Sequence, residues 1–231
     1  MADEPVCILA TGQAVPESIF TLKDFIELQR AAADFAISKL DKNDMSQKQR
    51  IEDINKNFDW VKRCAQNSAI DKRHGIIPDG GKRLQDFYAK YDYNPPYTLR
   101  AKYWRRYCPE LAMTAVQKAI KEWGGDKNTI THVVSHSTTG WDVPGLGHHV
   151  MYNLELPESA RAVPVNFVGC QGGTSVMYVA ATIAKQDPNA VVLALAAEIQ
   201  SPLGRMYNDE ISLEKSIYMP NVLFGDAAGC A

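Results

Sequence analysis

The chain has 231 residues, 45% of them apolar and 23% charged, with 25 basic and 27 acidic side chains and a net charge of −2. That length builds one large domain or two small ones, and that composition excludes a disordered, collagenous or low-complexity chain. The near-neutral balance offers no electrostatic case for nucleic acid or an anionic membrane, and the longest apolar run, Ala190–Ala197, falls far short of a bilayer span.

Val6–Thr11 is predicted as a short strand, followed by a helix over Leu22–Leu40. Ser46 and Gln49 stand at capping-box spacing before a second helix with Ile51, Ile54, Phe58 and Val61 on one face. Asp71–Arg83 reads as a polar loop. Thr98–Pro109 reads as a basic helical stretch, and Leu111–Trp123 as an apolar helical face closed by Gly124-Gly125. Beyond it strands at Thr131–Ser135, Ala162–Val168 and Ala190–Ala197 alternate with helices at Gly145–Leu154 and Gly172–Lys185. That alternation predicts an α/β fold with a mostly parallel sheet. No repeat or flexible linker divides residues 1–231, so one domain is expected. Phe224–Ala231 reads as a turn leading into a strand. The helix after Cys170 is apolar nearly all round, which predicts burial on every side.

The five cysteines (Cys7, Cys64, Cys108, Cys170 and Cys230) are odd in number and widely spaced, with no Cys-x-x-Cys. Neither a disulfide framework nor a zinc site follows, and a reduced, cytoplasmic protein without a metal is expected. Asp3 and Glu4 with a five-residue apolar stretch make no secretory signal. Cys170 alone has a chemical setting: Val165-Asn-Phe-Val-Gly-Cys-Gln-Gly-Gly173 runs a buried strand through a glycine-flanked turn into a helix. A helix N-terminus stabilises negative charge on sulfur by about 0.3–1 kcal/mol. Gly169, Gly172 and Gly173 let a substrate carbonyl approach the backbone. A small core residue at a tight junction is the structural alternative. Val168 stands where a hydrolase nucleophile elbow needs glycine.

The run Ile130–Gly145, Gly169-Cys-Gln-Gly-Gly173, Leu223-Phe-Gly-Asp226 and Ala119–Gly124 resemble, in order and spacing, segments of the chalcone and stilbene synthases, the type III polyketide synthases. The resemblance covers the whole chain. It implies the N-terminal half of a thiolase-like fold, with helices on both faces of the sheet, normally in a homodimer. It implies an acyltransferase that takes an acyl group from CoA onto Cys170 and condenses it with malonyl-CoA, with no cofactor beyond these substrates. Phe224 would be the gatekeeping aromatic. Thr138 and Thr139 would line the substrate cavity, with Gly169 beside the nucleophile, and Val143 would reach the neighbouring subunit. Lys72 and Arg73 would hold CoA phosphates. The family's catalytic His and Asn, and its Gly-Phe-Gly-Pro-Gly motif, belong to a C-terminal half outside these 231 residues. This chain alone is therefore expected to be incomplete for condensation, and a non-catalytic interaction subunit or weak acyl-CoA binder is the rival. His132, His136, His148 and His149 are expected at the surface or in hydrogen-bonded structure. His74 could help bind phosphate. The aromatics and cations of Thr98–Tyr107 fit a solvated helix face with an aromatic inner face. Glu198 is expected to be a hydrogen-bonded structural carboxylate, and Ser201–Asn221 to border the cavity.

Overall fold

The computed structural model describes residues 5–204, 206–207 and 215–231. In chain order the elements are β1 (Gly12–Ala14), β2 (Ile19–Thr21), α1 (Leu22–Ser38), α2 (Met45–Gln66), β3 (Lys72–His74), α3 (Leu84–Lys90) and α4 (Tyr97–Trp123). They continue as β4 (His132–His136), α5 (Leu146–Leu154), β5 (Arg161–Pro164), α6 (Gly172–Gln186), β6 (Val192–Glu198), α7 (Lys215–Leu223) and β7 (Ala227–Cys230). The chain divides into two compact units. The first comprises residues up to Val15, Ala101–Glu198 and Ala227–Ala231; the second comprises Pro16–Arg100 and Ile199–Asp226.

The first unit is built on a five-stranded sheet of order β1-β7-β6-β4-β5. β4 pairs parallel with β5 and β6, while β7 runs antiparallel to β6 and β1. The parallel core is thus as expected, and the antiparallel edge comes from the strand that Phe224–Ala231 foreshadowed. Val6–Thr11 forms no ladder; the pairing falls on Gly12–Ala14, where Gly12 faces Cys230. Alternation along β4 places Val134 and His136 on one face and Val133 and Ser135 on the other. Val134 packs with Val176 and Ala180 of α6 and Ala194 of β6. On the opposite side, Gly147 of α5 stands over Ser135. Helices therefore cover both faces. The basic and apolar stretches from Thr98 to Trp123 join into one helix that carries Pro109 within it.

α6 departs from its expected burial. Gly172, Val176 and Ala180 are buried, but Met177 and Tyr178 are exposed. An apolar groove of about 730 Å³ runs past them, bordered by Ile8, Leu9, Trp123 and Ala231.

In the second unit α1 packs on α2 through Phe25, Leu28, Ala32 and Ala36 against Ile54, Phe58 and Val61. Thr21 and Asp24 cap α1 reciprocally, whereas the cap of α2 is Asp44, two residues before the expected Ser46. The loop predicted over Asp71–Arg83 contains β3, which pairs antiparallel with β2. α3 lay unread between two breakers because its seven residues are too few to show a helical period.

Candidate active site

In the first unit β4 ends at His136, and the next turn carries Ser137, Thr138 and Thr139. Glu198, at the end of neighbouring β6, gathers this turn. It accepts from the backbone N–H groups of Thr138 at 2.7 Å and Thr139 at 2.9 Å, and from the hydroxyls of Ser137 and Thr139. The parallel register of β4 and β6 puts this carboxylate level with the turn. The expected structural carboxylate is present, and it shapes the segment that holds Thr138 and Thr139.

The turn that carries Cys170 leaves β5 at Pro164, short of the expected strand end at Val168, and crosses the end of β4; Phe167 and Val168 are exposed and not part of a buried strand. Val165 N–H donates to Ser135 O, Phe167 N–H donates to Ser137 O, and Asn166 Oδ1 accepts from Ser137 N–H. Phe167 and Gly169 both adopt a left-handed φ of 62°. That region is disfavoured for a bulky residue. Three 3-10 residues, Gly169–Gln171, then lead into α6. Cys170 is exposed at this entry, two residues before Gly172, the first residue of the helix. Of the other cysteines, Cys108 and Cys230 are buried, and burial pushes the Cys230 thiol up to about 12.

Gly169 N–H donates to Thr138 Oγ1 at 3.1 Å, so Thr138 and the turn that carries Cys170 meet directly. His136 is only 2% exposed. Its Nδ1 lies 2.6 Å from Val165 O, and its Nε2 lies 3.2 Å from Thr138 Oγ1 and 3.1 Å from Glu198 Oε1. Nδ1–H donates to the carbonyl, and Nε2 faces both the Thr138 hydroxyl and the Glu198 carboxylate, so the imidazole ties the strand end to the turn on both sides. Sequence reasoning grouped His136 with three other histidines. Only its two-residue spacing from Val134, on the face that α6 covers, marked it as buried. Asn166 carried no sequence signal. Val143 is exposed, apart from the turn. His149 pairs with Asp142, which also receives Arg105. Tyr103 and Trp104 are buried while Lys102, Arg105 and Arg106 are exposed, as expected of a solvated helix with an aromatic inner face.

In the second unit the segment Phe224-Gly225-Asp226 is tied down at its end. Asp226 is 1% exposed. Its carboxylate accepts from the N–H groups of Ile76, Gln200 and Ser201 and from the Ser201 hydroxyl. Burial pushes this carboxyl above the usual carboxylate range, and the four donors oppose that shift. Asp226 N–H donates to His74 O, which would lie 2.6 Å from a Cβ at residue 225; glycine is required by that approach. Phe224 projects beside this knot, partly exposed. Ser201 has no motif of its own and was not singled out.

Lys72 and Arg73 alternate across β3: Lys72 is exposed and Arg73 is 7% exposed. Arg73 donates through Nη2 to Val222 O and lies over the Phe25 ring. His74 binds Pro16 O through Nδ1. Arg73, His74 and Phe224 line one cavity of about 170 Å³ in this unit. Part of the Ser201–Asn221 stretch, residues 205 and 208–214, lies outside the described residues. Among the described residues no group of three His, Cys, Asp or Glu side chains could hold a metal, and no helix is long and apolar enough to cross a membrane.

An α/β sheet with helices on both faces carries an exposed cysteine thiol where a strand leads into a helix N-terminus. The chain belongs to the chalcone and stilbene synthase family: residues 1–231 match the model of the chalcone and stilbene synthases, N-terminal domain. It is also 33% identical over 141 residues to a protein named probable polyketide synthase 1 of Dictyostelium discoideum. That match covers 61% of this chain and 4% of the relative, so the chain spans only a small part of the relative's length.

Proposed function

We propose that this chain is the acyl-accepting half of a type III polyketide synthase. The observation that carries the reading is the exposed Cys170 at the N-terminus of α6, in a turn tied by Gly169 and Thr138. The Cys170 thiolate attacks the carbonyl of an acyl-CoA thioester. A new thioester forms at sulfur, the bond to the CoA sulfur breaks, and CoA leaves as its thiol with the proton that Cys170 gave up. Malonyl-CoA then loses carbon dioxide, and its carbanion attacks the acyl carbonyl on Cys170: a carbon–carbon bond forms, the thioester bond to Cys170 breaks with its electron pair returning to sulfur, and the lengthened chain leaves as a β-ketoacyl-CoA. Phe224 is the gatekeeping aromatic in this reading. Thr138, Thr139 and Gly169 contact the substrate, and Val143 serves a neighbouring subunit. Lys72 offers an exposed ammonium to CoA phosphate, and Arg73 adds charge from the opposite face of β3. The base for Cys170 comes from the family's C-terminal half, which the resemblance credits with a His and an Asn.

Mass spectrometry of the protein after incubation with acetyl-CoA and hexanoyl-CoA tests the loading step. One acyl group on Cys170, absent from a Cys170→Ala variant, is expected. No adduct, or an adduct at Cys7 or Cys64 alone, would overturn the proposal. These 231 residues alone are expected to make no polyketide from malonyl-CoA.

A second reading, an interaction subunit without catalysis, is favoured by the apolar groove along Met177 and Tyr178, whose size suits a packed protein segment. It predicts stable assembly with the family's C-terminal half and no acyl adduct.

A further inference from the structure

The second unit contains a buried cation without a counter-ion. Arg73 is 7% exposed. Its Nε and Nη1 have no hydrogen-bond partner, and it forms no ion pair among the described residues. Nη2 donates to Val222 O and the group lies over the Phe25 ring, but with Nε and Nη1 unpaired and no carboxylate beside it the buried charge is only partly compensated. Burial accordingly pushes Arg73 down from the ordinary guanidinium value. The acids on the same cavity do not relieve it: Asp24 is engaged by the Thr21 cap, and Glu27 lies against Lys23. Asp226 already receives four donors from the backbone and Ser201. Of the rim cations, Arg83 pairs with Asp86, and Lys82 is exposed.

The cavity that Arg73 lines has about 170 Å³ of space, and an apolar cavity of about 150 Å³ holds a benzene ring. Its remaining wall is largely apolar: Phe20, Phe25, Leu28, Leu84 and Met206. Asn221 also lines it, and its Nδ2 is a second donor without a partner. Gln29 Oε1 is an unpartnered acceptor; turning that amide would present Nε2 instead, at the loss of its contact with Met206.

We propose that this cavity is a binding site for a small organic monocarboxylate, whose carboxylate meets Arg73 and Asn221 and whose ring or short chain lies against Phe25 and Leu28. One negative charge balances one guanidinium. A phosphate dianion would bring a second charge into an apolar wall with no second buried cation to meet it. The inference goes beyond acyl transfer and does not need it, since Lys72 can serve CoA whether or not Arg73 holds a carboxylate.

Calorimetric titration of the 231-residue chain with benzoate and with benzamide tests it, because the two probes share size and differ in charge. Saturable one-to-one binding of benzoate, with benzamide at least tenfold weaker, is expected. An Arg73→Gln variant should lose that discrimination while keeping the wild-type circular dichroism. Should that variant fail to fold, the probe pair on the wild type still decides. Equal binding of the two probes, no binding of benzoate, or displacement of benzoate by an equal concentration of inorganic phosphate would overturn the proposal. None of these readouts involves Cys170, so they stand or fall apart from acyl loading.

Discussion

The imidazole of His136 fills the space that a side chain at residue 172 would need: a Cβ built there would lie 1.9 Å from His136 Nε2. The strand end beneath the Cys170 turn and the first residue of α6 are thus in direct contact, and the helix that begins after Cys170 can start where it does only because residue 172 is glycine. Gly172→Ala is expected to destabilise the protein by roughly 1–3 kcal/mol, the usual cost of overpacking a buried site. Because His136 also holds Val165 O, the strain should pass to the turn that carries Cys170. Chemical denaturation checks the stability, and the iodoacetamide alkylation rate of Cys170 checks the turn. An unchanged midpoint would show that α6 shifts freely over His136.

Glu198 gathers four donors from Ser137, Thr138 and Thr139. A glutamine in its place keeps the shape but directs an NH₂ group at donors. Glu198→Gln should therefore cost about 1 kcal/mol, since one accepting oxygen is lost and, of the three donor residues, only Ser137 is buried. The Thr138 link to Gly169 should loosen as well. Amide hydrogen exchange at Gly169 would report it as faster exchange in the variant than in the wild type.

Much of this arrangement was legible in the sequence because it rests on local signals. The alternation of strands and helices after Thr131 and the glycine-flanked turn at Cys170 are both present, although β5 ends at Pro164 because the chain turns there to bind the end of β4 through Val165 and Asn166. The relationships that organise the site were not legible, since each joins residues distant in sequence. Glu198 finds Thr138 through the parallel register of β4 and β6. Asp226 finds Ile76 and Ser201 across long separations, and only its place in the Phe-Gly-Asp motif hinted at a role. Apolar composition also misled at α6, because it states what a helix can bury and not how much of it the chain covers. The same limit applies to Arg73. A Lys-Arg pair reads as two surface cations until the pleat of β3 sends one of them inside.

Asp226 gives a pH signature with a defined sign. Its folded-state carboxyl lies above the ordinary carboxylate value because burial disfavours the charge. The folded chain therefore holds this proton more tightly than the unfolded one. Its contribution to stability is fully present below the unfolded value and is lost as pH rises through the folded value. Asp226→Asn removes the titration and leaves N–H donors facing an amide, so the variant should be less stable throughout. The stability gap between wild type and variant should be larger near about pH 3.5 than near about pH 7. Denaturant titrations at the two pH values measure it. A gap that widens toward neutral pH would mean that the four donors outweigh burial and hold the carboxyl below its ordinary value.

The cysteines should separate by access and not by number. Cys7 and Cys170 are exposed, Cys64 is partly covered, and Cys108 and Cys230 are buried. Only thiolate reacts, so Cys230, pushed up to about 12, is silenced twice, by burial and by protonation. Limited iodoacetamide labelling of the folded protein near neutral pH should mark Cys7 and Cys170 first and leave Cys108 and Cys230 unmarked until denaturant is added. Exposure alone would let the first two react alike. Faster labelling at Cys170 than at Cys7 would measure what the N-terminus of α6 adds, and a helix terminus worth about 0.3–1 kcal/mol corresponds to a roughly two- to fivefold difference in thiolate population. A much larger ratio would require a base near Cys170 within this chain. The buried His136, whose Nε2 already meets Thr138 and Glu198, would then be the first residue to replace.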